Sequence, residues 1–211
     1  MKIAGALSMG GLAVAEAHAR LMEDVVKRGV LGDVVEVGVY RGGSACAFAA
    51  GFGNLARRLW LYDSFAGMSQ TSEKDGAEAA KFVGACAASE DQVGEALERI
   101  GIPKTGYVIR KGWIADTLPV DPPPVIALLH IDVDWYENVL LTLEHLYDRV
   151  STGGVIILDD FGHWEGCREA FYDFCTRRSL RPLLERFGHS QAYWIKEKCH
   201  NRDEWIDLAD V

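Results

Sequence analysis

Four short runs of β-branched and apolar residues each carry an acid at or near their C-terminal end. Asp33 to Gly38 carries Glu36, Leu59 to Asp63 closes on Asp63, Val125 to Asp132 on Asp132, and Val155 to Asp159 on the pair Asp159–Asp160. A further run, Tyr107 to Arg110, has the same character without the acid. Between the runs lie stretches with helical spacing of apolar residues: Met9 to Arg28, Ser44 to Phe52, Ser72 to Ile100 (mostly helical), Glu137 to Val150 and Cys167 to Arg178. Strands alternating with helices make an α/β chain built on a largely parallel sheet. The run ending at Asp132 is almost wholly apolar, which requires helices on both faces of the sheet. Two last strands, Pro182 to Phe187 and Ala192 to Ile195, are joined by a short link containing Gly188 and read as an antiparallel pair at one edge.

In open parallel sheets, ligands bind beyond the carboxyl ends of the strands. Acids delivered to that rim from four strands repel one another, so a cation or hydrogen-bond donors must offset them. The first strand runs into Gly38, Gly42, Gly43 and Ser44, a glycine turn leading into a helix. The spacing from Gly38 to Gly42 is too wide for the dinucleotide fingerprint, which favours another adenosine ligand. Glu36 is placed to hold a ligand ammonium or simply to cap the turn. Asp63 sits where an acid accepts hydrogen bonds from a ribose diol, or else forms a local turn. Trp113 follows the third strand at the same rim, where an indole covers an adenine face or packs into the core.

One helix and one return strand fit between Asp132 and Asp159, so Asp132, Asp159 and Asp160 are expected on neighbouring strands. Three carboxylates there form a hard-oxygen site for Mg²⁺ or a similar divalent cation. Such a cation lowers the pKa of an oxygen nucleophile and orients it. Asp132 is the first candidate for the proton acceptor, with Asp134, Glu137 and His163 in reserve. His130, inside the fourth strand, reads as a packed core histidine. Trp135, Tyr136 and Trp164 either line an acceptor pocket or pack.

Composition excludes several classes of partner. The 211 residues fit one domain, 1–211, with residues 1–30 as an N-terminal helical segment and a small lid. A formal net charge of -9 argues against a nucleic-acid surface and against a polybasic membrane contact. No apolar run approaches the length of a membrane span. Ile3 to Ala19 is apolar and holds an Ala-x-Ala at 15–17, but only Lys2 precedes it and large hydrophobes are few, which argues against an export signal. Five cysteines (Cys46, Cys86, Cys167, Cys175, Cys199) are widely spaced with no CxxC pair, which suits reduced thiols in a cytoplasm.

Taken in order, GDVVEVGVYRGGSA, LYDSFAGM, KGWIADTLP and IDVDWYENVLLTLEHLYDRVSTGGVIILDDF resemble the macrocin and mycinamicin sugar O-methyltransferases from Gly32 to about Lys196. The first-strand and double-aspartate patterns also look like the wider catechol and caffeoyl-CoA type of metal-dependent O-methyltransferase. The resemblance implies a Rossmann-like class I methyltransferase fold, a seven-stranded mostly parallel sheet with an antiparallel last strand. It implies S-adenosyl-L-methionine (SAM) as cofactor, contacted from Glu36, Gly38, Tyr40, Gly42, Ser44, Asp63, Ser64, Trp113 and Asp132. It implies Mg²⁺ on Asp132, Asp159 and Asp160, with Asp132 as base; His163, four residues past Asp159, stands where an acceptor passes. The acceptor it implies is a sugar hydroxyl on a small natural product, such as an antibiotic, and a homo-oligomer is in keeping with the family. The catechol-type enzymes carry a lysine base three residues after the first metal aspartate, and Trp135 stands there in this chain, which disfavours a catechol. The segment before Gly32 is short, so a lid built from it is small. An NAD-linked oxidoreductase shares the first-strand turn and Asp63 but leaves Asp159–Asp160 unexplained. A non-catalytic acidic-pocket domain of the phosphoacceptor type leaves Glu36 and the Gly42–Gly43 turn incidental.

Overall fold

The computed structural model describes residues 1–52 and 57–198; Cys199 lies outside the described residues. Seven strands form one sheet: β1 (Asp33–Val37), β2 (Leu59–Asp63), β3 (Tyr107–Lys111), β4 (Ile126–Ile131), β5 (Val150–Leu158), β6 (Glu185–Arg186) and β7 (Ala192–Ile195). Their spatial order is β3-β2-β1-β4-β5-β7-β6. β1 to β5 are mutually parallel, and β7 runs against both of its neighbours. This is the expected α/β sheet with a reversed last strand.

Alternation along the strands divides the core into two layers. Val34, Leu59, Leu61 and Leu128 face a layer built with α2 (Gly11–Lys27), α3 (Gly43–Ala50) and α4 (Glu90–Arg99), with α1 (Lys2–Leu7) at its edge. Val35, Val37, Leu129 and Ile131 face the opposite layer, built with α5 (Ile114–Thr117), α6 (Tyr136–Leu146) and α7 (Glu165–Arg177). Every residue of β4 is buried, as two-sided coverage requires. The chain leaves β1 toward β2 on one side, and β4 pairs on the other, so the sheet switches direction between β1 and β4. That crevice is where open α/β sheets bind ligands.

Several element boundaries differ from the sequence reading. The segment from Ser72 to Ile100 is not mostly helical: only Glu90–Arg99 is α-helix, preceded by short 3-10 turns at Glu73–Asp75 and Ala79–Phe82. Gly76 and Gly84 adopt φ of 79° and 80°, which ends each turn, and a capping box between Ser89 and Gln92 starts α4 afresh. The helix expected over Met9 to Arg28 is α2 (Gly11–Lys27), and a short α1 (Lys2–Leu7) precedes it. α6 gives way to a 3-10 turn at Tyr147–Arg149, and β5 begins at Val150, so Gly153 and Gly154 lie within the strand. The ladder absorbs them by a register shift between Ile126 and Leu128. Of Pro182 to Phe187, only Glu185–Arg186 is strand. Among the described residues no helix is long and apolar enough to cross a membrane.

Candidate active site

A cavity of about 430 Å³ opens at the carboxyl ends of β1, β2, β4 and β5, within the size range of small-molecule sites. One wall is the turn after β1. Gly38 has φ of 86°, and a Cβ there would stand 1.8 Å from the backbone oxygen of Asp132. Only glycine lets the β1 and β4 ends approach this closely. Tyr40 and Gly42 also have positive φ, and Gly42 is the residue before α3. Asp63 braces this turn: its Oδ2 accepts from the backbone N–H of Val39 and of Tyr40 at 2.7 and 2.8 Å. Its Oδ1 accepts from Phe65 N–H at 2.6 Å, so the local-turn reading is also realised. Ser64 Oγ accepts from Ala66 N–H in the same loop.

Gly38, Tyr40, Ser44, Asp63, Ser64 and Trp113 all line the cavity. Trp113 is 47% exposed, so it is not a core tryptophan. Glu36 and Gly42 do not line it. Glu36 is wholly buried beneath the floor, where its Oε1 accepts from Ser44 Oγ and meets His130 Nδ1 at 3.1 Å. Burial is the main reason its carboxyl is pushed above the ordinary range, against the pull of His130.

Across the switch point the expected carboxylates converge. One ligand atom from each of Asp132, Asp159 and Asp160 lies within 4.8 Å of the others. Backbone bonds fix them there: Asp132 N–H donates to Val37 O, and Asp159 N–H to Ile131 O. Burial, then the charges of Asp159, Asp134 and Glu36, raise Asp132 well above the usual carboxylate range. Burial, then Asp134, Asp132 and Asp159, do the same to Asp160. Asp159 differs. Burial raises it, but the hydrogen bond and charge of His130 outweigh burial and hold it low. Asp160 Oδ2 is buried with no hydrogen-bond partner among the described residues. An all-oxygen cluster, self-repelling and with an orphaned oxygen, fits a hard divalent cation.

Asp134 also lines the cavity, in a left-handed conformation with φ of 57°. Its Oδ1 accepts from Trp164 Nε1–H at 3.0 Å, and burial chiefly lifts its pKa to about 6. His163 is exposed at the rim with its ring 4.4 Å from that of Trp164. Glu137 is exposed on α6 and does not line the cavity, which removes it as a reserve base. Trp164 lines the cavity; Trp135 is buried with Nε1–H on Ser69 O, and Tyr136 is buried with its hydroxyl on Asp173.

Other residues gave no usable signal in the sequence. His18, from α2, reaches the cavity 1% exposed, with neither ring nitrogen hydrogen-bonded among the described residues. Gln191 donates from Nε2 to Asp159 Oδ2 at 3.0 Å. Buried Asp75 caps α6 by accepting from Tyr136 N–H at 2.6 Å. The turn from Leu7 to Gly10 between α1 and α2 lines the cavity too, and with it the N-terminal segment reaches the site.

The sequence profile of the macrocin O-methyltransferase family matches residues 4–196. The chain is 34% identical over 181 residues to the 8-demethyl-8-(2,3-dimethoxy-alpha-L-rhamnosyl)-tetracenomycin-C 4'-O-methyltransferase of Streptomyces olivaceus, covering 82% of this chain and 69% of that one. It is 31% identical to the mycinamicin III 3''-O-methyltransferase of Micromonospora griseorubida, covering 82% and 72%. Among solved structures it is similar to the O-methyltransferase NovP, with a TM-score of 0.82 and 29% identity over 91% of this chain and 83% of that one.

Proposed function

The chain belongs to the macrocin O-methyltransferase family, and from that premise we propose that it transfers a methyl group from SAM to a sugar hydroxyl of a small natural product, assisted by a divalent cation such as Mg²⁺. The observation that carries this reading is the shared cavity: the glycine turn, Asp63 and Trp113 on one wall, Asp132, Asp159 and Asp160 on the other. One named relative acts on a rhamnosyl-bearing tetracenomycin and another on the 3'' position of mycinamicin III, which supports a sugar acceptor here.

In this reading Gly38, Tyr40 and Ser44 border the methionine part of the donor, Asp63 accepts from its ribose hydroxyls, and Trp113 covers its adenine. Asp132, Asp159 and Asp160 would hold the cation, which would lower the pKa of the acceptor hydroxyl and orient it. The acceptor oxygen forms the new C–O bond as the donor's C–S bond breaks, and the hydroxyl proton passes to Asp132. His163 and Trp164 lie at the mouth, where the rest of the acceptor passes. The Leu7–Gly10 turn forms a small cover beside them, and the free thiols of Cys46, Cys86, Cys167 and Cys175 suit a cytoplasmic setting.

The test is transfer of isotopically labelled methyl from SAM to glycosylated acceptors, with product linkage read by mass spectrometry and NMR. Titration calorimetry with SAM and with NAD runs in parallel. We expect SAM to bind, NAD not to bind, and the label to appear as a sugar methyl ether. Binding of NAD instead, or label on a phenol but not on a sugar, would overturn the assignment.

A further inference from the structure

His130 occupies a place that a packing residue would not need. It is fully buried in β4, lines no part of the cavity, and bridges two carboxylates from different strands. Register brings this about. His130 stands opposite Glu36 of β1 and Ile157 of β5, and Asp159 follows Ile157 by two residues, on the same face. Nδ1 meets Glu36 Oε1 at 3.1 Å, and Nε2 meets Asp159 Oδ1 at 3.2 Å. Glu36 Oε1 also accepts from Ser44 Oγ at the start of α3, and Gln191 holds the other oxygen of Asp159. Asp159 is therefore gripped at both oxygens, whereas its neighbour Asp160 has an orphaned one.

We infer that His130 is a positioning residue: it fixes the Asp159 carboxylate for cation binding and ties it, through Glu36 and Ser44, to the turn on the donor wall. This rests on the cation reading of Asp132, Asp159 and Asp160. Groups that hydrogen-bond a metal-binding carboxylate set its orientation, and losing one typically weakens metal affinity about 10–100-fold. His130 does not touch the acceptor or the donor, so it is not a catalytic residue.

The two halves of the bridge can be separated by substitution. Asparagine places an amide near Nδ1 and keeps the Glu36 contact; glutamine places one near Nε2 and keeps the Asp159 contact. The experiment measures Mn²⁺ affinity by electron paramagnetic resonance for the wild type, His130→Asn, His130→Gln and Asp132→Asn, with S-adenosylhomocysteine affinity and melting temperature alongside. We expect His130→Asn to weaken Mn²⁺ binding about 10–100-fold and His130→Gln to stay within about threefold of wild type. Equal weakening in both variants would mean that His130 acts by packing, and no weakening in either would mean that Asp159 needs no such hold. Either result overturns the inference while loss of Mn²⁺ binding in Asp132→Asn leaves the cation reading standing. A wild type that does not bind Mn²⁺, or an Asp132→Asn variant that binds it unchanged, overturns both.

Discussion

Replacing His18 tests the electrostatics of the site floor without touching the reacting groups. The ring sits 1% exposed among Phe48, His130 and Phe187, at centroid distances of 4.9, 4.8 and 5.5 Å. Burial, then the charge of His130, pull its pKa down to about 3, against a smaller upward pull from Asp159. The folded protein therefore holds His18 neutral, while the unfolded chain takes up a proton near pH 6.5. As pH falls through that value the unfolded state gains a proton that the folded state refuses, so stability is lost on the acid side. Between pH 7 and pH 5 the loss from this one group is about 2 kcal/mol. The folded value lies well below pH 5, so its exact position hardly enters. His18→Phe keeps a ring of similar shape and removes two unpartnered nitrogens, which should leave stability at pH 7 unchanged or raise it. His18→Leu is the smaller control. Urea unfolding followed by tryptophan fluorescence at both pH values gives the comparison. The wild type should lose about 2 kcal/mol more than either variant on going from pH 7 to pH 5. An identical pH dependence in all three would show that His18 is not held neutral and that the reasoning about the floor is mistaken.

Three further substitutions probe the walls. Gly38→Ala combines positive-φ strain with a Cβ 1.8 Å from Asp132 O, so it should lose at least about 3 kcal/mol, or roughly 6–12 °C in melting temperature; a melting point equal to wild type would refute the close approach. Asp160→Ala should lower turnover at least about 100-fold while donor binding survives, because Asp160 stands across the cavity from the glycine turn; calorimetry with SAM separates the two effects. Asp63→Ala should weaken SAM binding at least about tenfold, through lost ribose bonds and a loosened turn at Val39 and Tyr40; an unaltered dissociation constant would reject the ribose role.

The architecture was legible because it rests on period and punctuation. The apolar runs of β1, β2, β4 and β5 and the glycines beside them place strand ends, and strand ends place Asp63, Asp132, Asp159 and Asp160 on one rim. The stretch from Ser72 to Ile100 was not, because its apolar spacing looks helical while Gly76 and Gly84 break the backbone locally. Gly153 and Gly154 misled in the other direction, since a register shift carries them inside β5. Glu36 and His130 show the sharper limit. Each was readable alone, as a cap or ligand contact and as a core histidine, but their pairing depends on the β1–β4 register, which no local pattern encodes. His18 is further still: it arrives from α2, with only its place on an apolar helix face to mark it.

In the proposed function, Asp132, Asp159 and Asp160 hold a divalent cation needed for methyl transfer, next to a donor that binds independently of it. The direct measurement is turnover of an acceptor in protein stripped with EDTA, then titrated with Mg²⁺, with SAM affinity followed in the same samples. Stripping should abolish turnover, Mg²⁺ should restore it, and SAM should stay bound throughout. Full turnover in the continued presence of EDTA would contradict the proposed function.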